Sequence, residues 1–133
     1  MKYLVFFLFF SFGNFVDAEQ YVFESWTEDG KNCTLQFESE PTTNWDGKSE
    51  LPLPFSDIAL KFDDWVTTTI KSSEEAHAVS FNFATVATDG LESAYWIFKI
   101  GYVVFENGQP ATRFNRKVAI DLSGKVMEAV CEI

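Results

Sequence analysis

The chain has 133 residues, 47% hydrophobic and 17% aromatic with 15 Phe, which places it among folded chains of single-domain size and excludes disorder or low complexity. Ten Lys and Arg against 20 Asp and Glu give a formal charge of −10. That balance excludes recognition of nucleic-acid phosphates and electrostatic docking on anionic membranes, both of which need clustered Lys and Arg.

Lys2 precedes an uncharged apolar run over residues 3–12, and the chain turns polar before Ala18 and Glu19. A basic start, a short apolar segment and a small residue at the exit predict a secretory signal peptide over residues 1–18. A membrane anchor would need about 20 apolar residues, and Asn14 and Asp17 interrupt this one too early. Residues 19–133 are then a single secreted, extracellular β-rich domain. It keeps all four Trp but loses six of the 15 Phe. The most apolar remaining stretch, residues 94–105, is short and contains Lys99, so no membrane span is expected in the mature chain.

Cys33 and Cys131 are the only cysteines. In an oxidising compartment they are expected to form one disulfide. With no nearby His and no CxxC spacing they are a poor zinc set, so neither metal nor cofactor is expected. Asn32-Cys33-Thr34 is a glycosylation sequon. Alternation over Cys33, Leu35 and Phe37 turns those side chains inward and Asn32 outward, so disulfide and glycan are compatible.

Residues 42–54 read as a turn-rich loop. Residues 56–70 are ambiguous. Ile58, Phe62, Trp65 and Ile70 approximate one helical face with Ser56 or Asp57 as cap. Ile58, Leu60 and Phe62 also alternate, and residues 66–70 are β-prone. The favoured expectation is strand through Ile70, and a helix around residues 56–66 is the alternative.

The second half reads as an antiparallel meander: strands over 77–87, 95–106, 112–121 and 125–133, with turns at Thr88-Asp89-Gly90, Asn107-Gly108 and Ser123-Gly124. Parity registers it. Pairing Ala87 with Ala94 sets Phe83 against Phe98, Phe81 against Ile100 and Val79 against Tyr102. Pairing Glu106 with Pro110 around a three-residue loop sets Phe98 against Val118 and Tyr102 against Phe114. Pairing Leu122 with Lys125 sets Ile120 against Met127, puts Ala129, Cys131 and Ile133 on the same inner face, and turns Glu128 outward. The other face carries Ser80, Asn82, Lys99, Asn115 and Lys117, with Ile97 and Val103 as apolar exceptions.

His77, the only histidine, falls on the inner face at a strand end and reads as a packing residue. No GxSxG, P-loop or HExxH motif occurs. Asp46, Asp63, Asp64 and Glu74 would serve a carboxylate-dependent hydrolase only if a cleft joined two of them. Acid is concentrated early, with 4 Lys against 15 acidic residues over 19–94. Arg116 breaks the inner apolar pattern; with Tyr102 and Trp96 nearby it marks a candidate site for the anionic head of an apolar ligand.

The expected fold is mainly β, an antiparallel sandwich or half-barrel with a C-terminal four-stranded meander; the alternative is α+β, one helix on a curved antiparallel sheet. The expected function is a secreted, non-enzymatic binding or interaction domain whose partner is an unknown protein or a small apolar ligand. Alternatives are a carrier of a small apolar or amphipathic ligand on the inner sheet face, and a carboxylate hydrolase. Self-association through Trp26 and Trp45 is a further expectation.

Overall fold

A computed structural model describes residues 21–111 and 116–132. The expected leader, residues 1–18, and the positions of Phe114, Asn115 and Ile133 lie outside the described residues. The fold is mainly β, with two antiparallel sheets and one helix. Strands β1 (Tyr21–Glu28) and β2 (Lys31–Phe37) form a hairpin, followed by helix α1 (Phe55–Thr69). Then come β3 (Glu74–Val86), β4 (Tyr95–Glu106), the two-residue β5 (Gln109–Pro110), β6 (Arg116–Asp121), β7 (Val126–Glu128) and β8 (Val130–Glu132). One sheet runs β1-β2-β8; the other runs β3-β4-β6-β7, with β5 pairing β4.

The favoured reading of residues 56–70 as strand is overturned: they form α1. Burial of Ile58 and Phe62 overrides the β propensity of its threonines, and the Thr67 and Thr68 hydroxyls donate to the carbonyls of Asp63 and Asp64, at 3.0 and 3.1 Å. Neither Ser56 nor Asp57 caps it; Pro54 holds the N-cap without a side-chain bond. The helix covers the inner face of the larger sheet. Ile58 and Phe62 pack there on Phe98, Ile100, Tyr102, Val104, Val118 and Ile120.

The reverse face is not left wet. The β1-β2 hairpin covers one end of it, so Ile97, Ala119 and Met127 form a second core with Leu35, Phe37 and Tyr95. Ile97 was therefore no exception, because β4 is buried on both faces over this stretch. Lys99 and Lys117, on the same face, reach across to one carboxylate oxygen of Glu24, at 3.3 and 3.6 Å.

The β3–β4 register holds for Phe81↔Ile100 and Phe83↔Phe98. A bulge between Ala78 and Ser80 then moves Val79 out of the ladder, and Ala78 takes the place opposite Tyr102. The extra residue reverses parity for everything before it, so His77 is exposed rather than inward. At Asn107-Gly108 both residues have positive φ and Glu106 pairs Gln109, a two-residue turn and not the expected three-residue loop. β6 pairs β4 in a register two residues from the expected one, so Phe98 faces Ile120 and Tyr102 faces Arg116. A slip of two preserves parity.

After β6 the slip is one, and parity breaks. Ala119 pairs Met127 and Ile120 pairs Val126, because the Asp121 carboxylate gathers the Ser123 and Lys125 amides, each at 2.9 Å, into a tight turn. Met127 thus joins the second core, and Glu128 lies on the helix side. The expected fourth strand also ends early. Past Glu128 the chain crosses to β2, so Cys131 belongs to the smaller sheet, opposite Cys33. The Cys33–Cys131 disulfide forms as expected.

The loop before α1 is tied down by polar side chains. Asn44 donates to the Ala94 carbonyl at 2.9 Å, and Glu40 accepts from the Tyr95 hydroxyl at 2.7 Å and the Glu92 amide at 2.8 Å. The Tyr95 hydroxyl foremost, then the Glu92 amide, holds the Glu40 carboxyl below the usual carboxylate range. A depressed folded pKa stabilises above the unfolded value, and that stability is lost as pH falls through the folded one. The tether is therefore expected to release only in acid, below the ordinary glutamate value. In Tyr95→Phe the Glu40 titration, followed by carboxyl NMR, is expected to move up towards that value; an unmoved titration would refute the assignment.

Candidate functional site

A cleft of about 470 Å³ opens where the disulfide-stapled hairpin meets the C-terminal end of α1. Its position follows from three features already described. The turn end of β1-β2 supplies Glu28 and Lys31, α1 supplies Trp65, and the cross-strand pair on β4 and β6 supplies Tyr102 and Arg116. The Cys33–Cys131 bond lines the same space.

Arg116 sits at the rim, its side chain 43% exposed, with Nε 3.8 Å from Glu28 Oε1. That is an ion-pair distance but too long for a strong hydrogen bond. A guanidinium has five donors, so most of its hydrogen-bonding capacity is uncommitted to this carboxylate. Trp65 forms the aromatic wall: its ring meets Tyr102 edge-on at 5.4 Å, and its Nε1 donates to Glu128 Oε1 at 2.7 Å. Burial pushes the Tyr102 hydroxyl up; the Arg116 cation pulls the other way and the Glu28 anion adds to the rise. The phenol is thus a neutral hydrogen-bonding group at physiological pH. Around the opening Arg116, Lys31 and Lys71 stand against the acids Glu28, Asp29, Glu74 and Glu128.

Of the three expected ligand contacts, Tyr102 and Arg116 come together and Trp96 does not. Trp96 packs with Trp45 at 5.1 Å and Phe83 at 4.7 Å, in an aromatic cluster away from the cleft lining. The tryptophan that sequence reasoning missed is Trp65. The helical reading of Ile58, Phe62 and Trp65 carried the signal for it. The site lies at the end of the inner face, since α1 fills the rest of that face with Ile58 and Phe62.

Asp46, Asp63, Asp64 and Glu74 do not gather. Asp46 accepts from the Lys48 and Ser49 amides of its own turn, Asp63 and Asp64 are exposed on α1, and Glu74 alone lines the cleft. Among the described residues, one trio with metal-ligand proximity occurs, Glu28, Cys33 and Cys131, and both its thiols are consumed by the disulfide. Asn32 is exposed on β2, opposite Glu132. Trp26 and Trp45, expected as a self-association surface, are both half-buried; the Trp26 ring carries the Lys117 ammonium 4.9 Å from its centroid.

No helix among the described residues is long and apolar enough to cross a membrane. Compared with known proteins, the chain matches no protein-family model, no curated protein and no solved structure, so its function rests on the chemistry of the cleft.

Proposed function

We propose that this chain is a secreted, non-enzymatic binding domain that holds a small amphipathic molecule by an anionic group at Arg116. The observation that carries the reading is the half-exposed Arg116 guanidinium, 3.8 Å from Glu28 and beside Tyr102 and Trp65, in a cleft of about 470 Å³. Binding clefts for small organics run from roughly 300 to 1,000 Å³ and combine apolar walls with a few directed polar groups. Arg116 offers a bidentate fork to a carboxylate or phosphate, and Trp65 and Tyr102 offer the wall for an apolar tail. The disulfide and the leader-like residues 1–18 support secretion, and the exposed Asn32 supports a glycan beside the cleft. His77 lies exposed beside Phe105, on a different surface from the cleft, so the cleft holds no imidazole among the described residues.

The test is an amide-resolved NMR titration of the oxidised chain with octanoate and, in parallel, octanol. Octanoate is expected to shift Trp65, Tyr102 and Arg116 and to bind at least about tenfold tighter than the alcohol. In Arg116→Leu that preference is expected to vanish while the melting temperature changes little. Absence of shifts in the cleft, or equal binding of acid and alcohol, would refute the reading.

A further inference from the structure

We propose that two copies of this chain associate through the free edge of β3, joining their larger sheets into one. β3 is 13 residues long, pairs with β4 on one side, and has no strand on its other side among the described residues. A long edge presents a row of N–H and C=O groups able to pair with another chain. Monomeric proteins blunt such edges with Lys, Pro or inward charges. β3 carries such charges only at its first two positions, Glu74 and Glu75, the first of them turned to the helix side. Residues 76–87 contain no Asp, Glu, Lys, Arg or Pro, although the chain carries a net charge of −10. Its one irregularity is the bulge at Val79, which leaves residues 80–86 as a regular ladder.

Apolar side chains flank this edge on both faces. Phe81 is 43% exposed on the helix side, with its ring 5.1 Å from Phe55, itself 52% exposed. Val79 is 50% exposed on the other face and lines an open patch with Val103 and Phe105. These are large apolar groups beside an unpaired backbone, a combination that favours strand addition.

Charge selects the occupant. Two copies of so acidic a chain repel each other over most of their surfaces, and the neutral run over 76–87 is where that repulsion is relieved. It holds no acid to draw a basic segment from another protein. Parity then selects the register. A two-fold axis normal to the sheet keeps each face continuous, and centring it on Asn82 sets Asn82 against its own copy and Ser80 against Ala84. The same register sets Phe81 against Phe83 of the second copy, an aromatic cross-strand pair. That pair would extend the stack in which Phe83 lies 4.4 Å from Phe98. The bulge bends the strand away before Glu75 reaches the acidic Asp89 of the other copy.

Sedimentation equilibrium of the oxidised full chain is expected to give twice the chain mass, and Phe81→Lys to raise the dissociation constant by at least about tenfold. Asn82→Cys is expected to cross-link through a new disulfide between copies, with the Cys33–Cys131 bond intact by peptide mapping. Thr85→Cys is expected not to cross-link, since the two copies of residue 85 would stand about 20 Å apart in this register. A monomer at every concentration would overturn the proposal. So would a dimer indifferent to Phe81→Lys, or one that cross-links at Thr85 and not at Asn82.

Discussion

Reducing the Cys33–Cys131 bond, or replacing both cysteines with Ala, is expected to cost the fold about 4.7 kcal/mol, the loop-closure entropy for a separation of this size. The two cysteines stand 98 residues apart, so the bond ties the hairpin near the start of the domain to its last strand. Nothing else holds that strand firmly. β8 is three residues long, all exposed, and pairs with β2 at only Asn32, Cys33 and Thr34. Two effects follow. Globally, the reduced unfolded chain gains freedom, so the denaturation midpoint falls and the melting temperature drops by more than about 10 °C. Locally, β8 detaches first, because three exposed ladder positions cannot offset the entropy of ordering them. Hydrogen exchange is expected to show residues 130–132 losing protection in reductant well before the β4–β6 amides. Since the bond also lines the cleft, octanoate binding should weaken in the same samples. Equal stability with and without reductant would mean that the two sheets hold together through their apolar faces alone.

The turns and the central strand were legible in the sequence because their signals are local. Asn107-Gly108 states a hairpin in two residues, and the aromatic and β-branched run over 95–106 has few other uses. Parity errors arose where one residue was inserted or lost. The bulge at Val79 adds one residue, and the Asp121 carboxylate, taking amides two and four residues on, tightens the next turn by one; each turned a set of residues to the opposite face. The expected register set Tyr102 against Phe114, yet Arg116 and Tyr102 still share a face, because the error was two residues, which leaves a strand's faces unchanged. The crossing of β8 to the smaller sheet was not legible. Lys125 to Ile133 alternates like one strand, and only the position of Cys33 in space decides that its second half pairs elsewhere. The cleft forms at that crossing, so half its lining could be read from the meander and the other half could not.

The sharpest division between the two readings of residues 56–70 comes from three single substitutions. Phe62→Ala is expected to destabilise by about 3–5 kcal/mol and Ile58→Ala by about 2–5 kcal/mol, as deletions from a packed core. Leu60→Ala is expected to stay within about 0.5 kcal/mol of the parent. A strand would bury all three, since they alternate; a helix places Ile58 and Phe62 four apart on one face and turns Leu60 away. In the structure Ile58 and Phe62 are buried, and Leu60 is 61% exposed. The large losses follow from how little else supports α1. It has no side-chain cap at its start and no basic residue in its last turn, so its apolar face supplies most of its stability. Phe62 matters twice. Its ring stacks on Trp65 at 6.0 Å and meets Tyr102 at 5.9 Å, so removing it frees the aromatic wall of the cleft. Urea unfolding followed by tryptophan fluorescence is expected to show Phe62→Ala altering the native emission as well as the midpoint, whereas Ile58→Ala shifts the midpoint alone. A Leu60→Ala loss as large as the other two would restore the strand and remove Trp65 from the cleft, and with it the apolar half of the proposed binding site.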